Sequence, residues 1–166
     1  MMTMTALGLG SNLGNRLGNL RAALNFLREL YMVVRTSDVF ETAPWGVTDQ
    51  PYFLNACVLM ECAAPPETLL EQVKAIEKKM GRAAARRWGE RLIDIDILLM
   101  DSLVCDSPNL HIPHADMHRR DFVLIPLAQI LPHWIHPGTG RSAASLAEDV
   151  FSALSPSSAP VRVAAL

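Results

Sequence analysis

Arg82-Ala83-Ala84-Ala85-Arg86-Arg87-Trp88-Gly89-Glu90-Arg91-Leu92-Ile93-Asp94-Ile95-Asp96-Ile97-Leu98-Leu99 runs an arginine-rich loop straight into a strand that carries two carboxylates. The β-branched and apolar residues from Ile93 onward predict the strand. Strand side chains alternate between faces, so Asp94 and Asp96 share one face and Ile93, Ile95 and Ile97 share the other. Two neighbouring carboxylates repel unless a cation lies between them. Mg²⁺ suits the place, because it takes oxygen ligands and completes its shell with water and substrate phosphates. The upstream arginines are the residue type that grips phosphate with two parallel hydrogen bonds. Each motif alone also reads as a solvated strand face or a wet loop; side by side they suggest phosphoryl-type transfer from a nucleotide.

Working outward, Pro65-Pro66 opens a helix whose Leu69, Val73, Ile76 and Met80 line one face, and Gly81 ends it. Residues 53–62 predict a strand, preceded by a turn-rich loop over 42–51 and a further strand over 33–40. Leu17, Leu20, Leu24 and Leu27 fall at helical spacing, giving a helix that ends near Leu30. Residues 4–9 read as the first strand and residues 10–14 as the turn after it. The order β-α-β-β-α-β is the ferredoxin-like α+β sandwich. A C-terminal extension follows, with helices expected over 123–130 and 143–154. Residues 1–154 are expected to form a single domain, and the Ser-, Pro- and Ala-rich residues 155–166 a frayed tail.

A length of 166 residues suits one domain with its own core. The net charge of −2 argues against a general nucleic-acid binder, which needs a broad basic surface. Positive charge is instead concentrated: six of the twelve arginines lie between Arg82 and Arg91 or at Arg119 and Arg120. Cys57, Cys62 and Cys105 are an odd number without framework spacing, which points to a reducing compartment. No leader pattern opens the chain, and no apolar run approaches the roughly 18–20 residues that span a bilayer. A cytoplasmic monomer acting on small molecules, with no nucleic-acid or membrane partner, is expected.

Gly8-Leu9-Gly10-Ser11-Asn12-Leu13-Gly14 fails both the dinucleotide-binding and the P-loop spacing, so a tight strand-to-helix turn is the favoured reading. Phe53 and Asn55 share a strand face, and an aromatic ring beside a carboxamide suits a flat heterocycle. A buried amide without a partner costs ~1–3 kcal/mol, so Asn55 requires a backbone partner or a ligand. All five histidines fall between His111 and His136, in a spacing that matches no common zinc template. A histidine beside Arg119 and Arg120 fits better as a phosphate contact. Trp88 reads both as an anchor for the arginine loop and as a cover that excludes water from substrate.

Taken in order, these motifs resemble the 6-hydroxymethyl-7,8-dihydropterin pyrophosphokinases of folate biosynthesis. The resemblance runs from about Ala6 to Gly140. It rests on the Gly8–Asn15 stretch, Glu41–Gly46, Asp49–Asn55, Gly81-Arg82 through Arg87-Trp88-Gly89, Arg91–Ile97, Ile112-Pro113-His114 and Arg120–Leu124. It implies transfer of pyrophosphate from ATP to the pterin hydroxymethyl group, with release of AMP. It implies that Asp94 and Asp96 hold two Mg²⁺ ions, that Phe53 and Phe122 sandwich the pterin, and that Asn55 bonds its edge. Thr42, Pro44 and Trp45 would complete that pocket. Arg82 and Arg91 would bind and steer the phosphates. Arg87, Trp88, His114 and Arg120 would line the ATP side, and Glu77, Ile97 and His111 the nucleoside. The chain departs from the family pattern at Trp45, Ala84, Glu90 and Ala115.

Two other readings stand beside this one. Ferredoxin-like sheets with exposed aromatics also bind single-stranded RNA, although the acidic pI and the Asp pair oppose it. A metal-dependent nucleotidyl or glycosyl transferase would use Asp94 and Asp96 but would not need Phe53, Asn55 and Phe122 together.

Overall fold

The computed structural model describes residues 1–81 and 90–166. Its element order is β1 (Thr3–Ser11), α1 (Arg16–Leu30), β2 (Met32–Thr36), β3 (Asp38–Thr42), β4 (Phe53–Cys62), α2 (Pro66–Lys79), β5 (Asp94–Met100), β6 (Cys105–Ser107), β7 (Leu110–Ile112), α3 (Asp121–Ile130), α4 (Ala143–Ala153) and β8 (Val161–Ala165), with short 3₁₀ turns at Met117–Arg119 and Pro156–Ser158. The main sheet is antiparallel throughout, in the order β5-β1-β4-β3-β8, and β2 also pairs with β4. With β2 and β3 counted as one broken strand, this is the ferredoxin-like arrangement.

Local chemistry explains the helices. Asn15 caps α1 by accepting the Gly18 N–H at 3.0 Å, and Leu20, Ala23, Leu24 and Leu27 form its buried stripe. Proline opens α2, Glu67 sits in its first turn and Lys78 and Lys79 in its last, each charge matching the helix dipole. Gly81 follows at φ +87°, a conformation that favours glycine.

The sheet buries its two faces differently. Leu7, Leu9, Val58, Met60, Ile95 and Ile97 pack against α1 and α2. Each such side chain, fully buried, contributes about 1.5–3 kcal/mol. On the opposite face Ala6, Cys57, Leu59 and Leu98 lie under Val123, Leu127 and Ile130 of α3. Cys57 and Cys62 therefore sit on opposite faces of β4, and all three cysteines are free. Burial pushes the Cys57 thiol well above its ordinary pKa. The region of this second face not covered by α3 is the floor of the cleft described below.

Three expectations need correcting. The first strand continues to Ser11 instead of turning at Gly10, because Gly8 and Gly10 are held in ladders with β4 on one side and β5 on the other. The strand expected over 33–40 is broken at Ser37, whose N–H donates to the Cys57 carbonyl at 2.9 Å while its Oγ accepts the Cys57 N–H at 2.8 Å. A side-chain oxygen thus replaces one rung of the ladder. Residues 155–166 are not a frayed tail. They carry β8, which pairs with β3 from Asp38↔Ala165 to Glu41↔Val161 and is tied by Arg162 Nε to Asp38 Oδ2 at 2.8 Å. Arg21 also reaches the Ala165 carbonyl at 3.0 Å.

Among the described residues no helix is long and apolar enough to cross a membrane.

Candidate active site

Gly10 lies opposite Asn55 on β4 and opposite Asp94 on β5; Gly8 lies opposite Cys57 and Asp96. Two glycines on β1 leave a lane without side chains, flanked by a carboxamide on one side and carboxylates on the other. Glycine inside a strand weakens it and marks a place where something else approaches the backbone. A cleft of about 440 Å³ stands over this lane.

One wall of the cleft is aromatic and amide. Phe53, Asn55, Thr42, Trp45 and Phe122 all line it. Asn55 is buried, and its Nδ2 donates to Thr42 Oγ1 at 2.6 Å, which supplies the partner its burial demands. Pro44 is buried behind the cleft lining, between Ala43 and Trp45, which border it.

The rest of the lining is charged, at Arg91, Asp94, Asp96 and Arg120. Asp94 is half-buried and Asp96 exposed, and both border the cleft as their alternation predicts. Arg91 Nε lies 3.7 Å from Asp94 Oδ1. Arg120 is buried, with its guanidinium 4.8 Å from the Trp45 ring centroid and 5.6 Å from that of Phe122. Asp116 holds it at 3.2 Å and holds Arg119 at 2.7 Å. Burial lowers the Arg120 pKa from its ordinary value, with Asp116 and Asp96 opposing, but guanidinium remains charged. The Arg119 hydrogen bond keeps the Asp116 carboxyl below the usual range.

His114 reaches the cleft through a β-bulge. The register changes from Leu7↔Ile97 to Ala6↔Leu99, leaving Leu98 as the extra residue, and the Leu98 carbonyl accepts the His114 N–H at 2.9 Å. Burial, then the Arg120 charge, lowers the His114 pKa and favours the neutral ring. His111 sits on β7 with Nδ1 2.7 Å from Asp106 Oδ1.

A second lobe of about 290 Å³ adjoins the first. Glu77 and Ile97 line it, and Asp94, Asp96, His111, His114 and Ala115 border both lobes. Glu77 is buried and accepts the Ile95 N–H at 2.8 Å, satisfying an edge donor of β5. Arg82, Arg87 and Trp88 lie outside the described residues. Every other expected site residue except Pro44 borders one lobe or both.

Sequence reasoning missed Asn12, Gln50, Asp106 and Asp116. Asn12 lies inside the glycine-rich stretch and Gln50 inside Asp49–Asn55, but neither carried a signal of its own. Asp106 and Asp116 act through residues that were recognised, and neither stands in a periodic pattern.

The family described as 7,8-dihydro-6-hydroxymethylpterin-pyrophosphokinase (HPPK) matches residues 6–132. The chain is 41% identical over 140 residues to the 2-amino-4-hydroxy-6-hydroxymethyldihydropteridine pyrophosphokinase of Methylorubrum extorquens, covering 82% of this chain and 88% of that one. It is 39% identical over 140 residues to the protein of the same name from Haemophilus influenzae, covering 83% and 88%. It is also similar to the mitochondrial folate synthesis bifunctional protein of Arabidopsis thaliana, at 43% over 146 residues, spanning 80% of this chain but 26% of that one. Among solved structures, the wild-type HPPK-DHPS of Plasmodium falciparum superposes with a TM-score of 0.75 at 16% identity, covering 92% of this chain and 45% of that one. The chain thus spans less than half of that larger protein, and the likeness there is one of fold. With a family match over most of its length and relatives near 40% identity, the chain belongs to the 7,8-dihydro-6-hydroxymethylpterin-pyrophosphokinase family.

Proposed function

We propose that the chain transfers pyrophosphate from ATP to the hydroxymethyl group of 6-hydroxymethyl-7,8-dihydropterin and releases AMP; its relatives are named as pyrophosphokinases of a hydroxymethyldihydropteridine. The observation that carries this is the two-lobed cleft. One lobe has aromatic rings and a carboxamide, the other is bordered by Glu77 and Ile97, and Asp94 and Asp96 stand on their shared border. A flat heterocycle fits the first and a nucleoside the second, which brings the alcohol and the β-phosphate together over the carboxylates.

Asn55, held by Thr42, offers its free lone pairs to the ring edge, and Phe53 and Phe122 offer faces for stacking. The substrate hydroxyl oxygen forms a bond to the β-phosphorus as the bond from that phosphorus to the bridging α-phosphate oxygen breaks; AMP leaves with that oxygen and the hydroxyl proton passes to solvent. Positioning and cationic stabilisation carry most of such a reaction. Arg91 and Arg120 supply that charge. The neutral His114 offers a hydrogen bond to a phosphate oxygen.

Asp94 and Asp96 fit Mg²⁺: they are hard oxygen donors on one strand face with open space above the glycine lane. Among the described residues no cluster of three or more His, Cys, Asp or Glu forms a metal cage, and Mg²⁺ needs few protein ligands when phosphates and water complete its shell. We assign both residues to two such ions, which when bound would offset phosphate charge. We further place the protein in the cytoplasm, on the strength of three free thiols, two of them buried, and take it to act as a monomer.

The test is a turnover assay with ATP, Mg²⁺ and the dihydropterin. AMP formed only in the presence of both pterin and Mg²⁺ supports the proposal. ADP would mean ordinary phosphoryl transfer, and neither product from a folded sample would overturn it.

A further inference from the structure

Asn12 borders neither lobe of the cleft, yet it is 1% exposed and its polar groups tie three chain segments together. Its backbone N–H donates to the Arg91 carbonyl at 3.0 Å, and its Oδ1 accepts the Arg91 N–H at 2.7 Å. Its Nδ2 donates to Gln50 Oε1 at 2.9 Å and to the Pro51 carbonyl at 3.0 Å. Gln50 Nε2 in turn donates to the Val47 carbonyl at 2.6 Å, two residues from Trp45. A continuous strap therefore runs from the residue that enters β5, through the end of β1, into the loop between β3 and β4. One end carries Arg91, three residues from Asp94; the other carries Trp45, which stacks on Arg120.

We propose that Asn12 is a positioning residue that holds the ring-binding loop and the phosphate-binding entry of β5 at a fixed separation. The proposal rests on the pyrophosphoryl-transfer reading of the cleft. A flat ring bound under the loop then presents its side group at a set distance from the phosphates. An amide is suited to this task because it accepts on one side and donates on the other. The two segments need opposite partners: Arg91 presents an N–H, whereas Pro51 presents a carbonyl that cannot become a donor.

That asymmetry supplies the experiment. Asn12→Asp keeps an oxygen for the Arg91 N–H and places a second oxygen against the Pro51 carbonyl, so it cuts one side of the strap. The expected result is a rise of about tenfold or more in the pterin dissociation constant by calorimetry, with Mg-ATP affinity nearly unchanged. In the ligand-free protein, amide exchange over residues 43–52 should accelerate while that of β5 stays as in the wild type. Gln50→Ala, which leaves the Pro51 bond, should shift both readouts the same way but less, and it carries the test if Asn12→Asp does not fold. Equal weakening of both ligands together with a lower melting temperature would reduce Asn12 to a structural role. Unchanged exchange over residues 43–52 would also overturn the proposal. If the wild type bound neither ligand, the function proposed above would fail, while the exchange comparison would still decide whether the strap exists.

Discussion

Gly10→Ala separates binding from stability more sharply than any change to a charged residue. A Cβ built at Gly10 lies 3.0 Å from Asn55 Oδ1 and 3.7 Å from Phe53 Cδ1. Carbon-to-oxygen contacts ordinarily begin near 3.3 Å, so the Asn55 carboxamide has to yield by about 0.3 Å. It has little freedom to do so, because its Nδ2 is held by Thr42 at 2.6 Å. The methyl also enters the lane over which the ring would lie. Disturbing one hydrogen bond to a buried amide costs about 1–3 kcal/mol, or about 5- to 150-fold in the pterin dissociation constant. Stability should move little. Gly10 is not among the residues with positive φ, so alanine is compatible with its backbone, and reduced freedom of the unfolded chain adds about 0.4–1 kcal/mol to offset the crowding. Titration calorimetry with pterin and with Mg-ATP, beside a thermal melt, reads all three quantities. Gly8→Ala is the comparator: its methyl meets Leu98 Cδ2 at 3.4 Å, the end of a flexible side chain, and should disturb pterin binding less. A Gly10→Ala protein that binds pterin within about twofold of wild type would refute the seat formed by Gly10 and Asn55.

Asp96→Ala should lower turnover by about a thousandfold or more, since metal-borne charge stabilisation amounts to several kcal/mol, while the exposed position leaves the melting temperature unchanged; near-normal activity would sink the metal assignment. Phe122→Ala should weaken pterin binding about tenfold through lost stacking and leave ATP binding less affected; equal losses would count against the sandwich. His136 is buried, and that burial, followed by the neighbouring His118, lowers its pKa below 6.5. Because the unfolded chain takes up this proton first, stability is full above pH 6.5 and declines as pH falls toward the lowered folded value. His136→Phe should flatten the fall in melting temperature across that range, and an unaltered slope would show that other groups set it. Removing residues 161–166 strips β8 from β3 and should lower the melting temperature by about 2–4 °C for each kcal/mol of ladder lost; an unchanged melt would mean that β8 adds nothing to the fold.

What could be read from the sequence was what is encoded locally. The α2 boundaries follow from Pro66 and Gly81, and its buried face from Leu69, Val73 and Ile76. The shared face of Asp94 and Asp96 follows from the period of a strand. What could not be read depends on partners far along the chain. β8 is five residues long and gains its ladder from β3, more than a hundred residues upstream. The break at Ser37 requires knowing that its hydroxyl would meet Cys57. Gly10 argued for a turn on propensity, and the two flanking ladders overrode it. Asn12 looked like an ordinary turn residue because all four of its bonds join segments distant in sequence.

The same glycine row that misled the local reading explains why the chemistry sits where it does. Asn55 and Asp94 are both in register with Gly10, one strand away on either side, so their backbones stand about 9–10 Å apart. That spacing is about the width of a two-ring heterocycle with a one-carbon arm. A ring pinned at its edge by Asn55 and lying over Gly10 would therefore place the arm beside the carboxylates. A side chain at Gly10 would shorten the lane, and a shift of one residue in the β1 ladders would turn the glycines away from it and put Leu9 in their place. With the ring seated as proposed, substrate length would be measured by strand register, which two long ladders with β4 and β5 hold, and the Asn12 strap would keep the loop ends aligned with it.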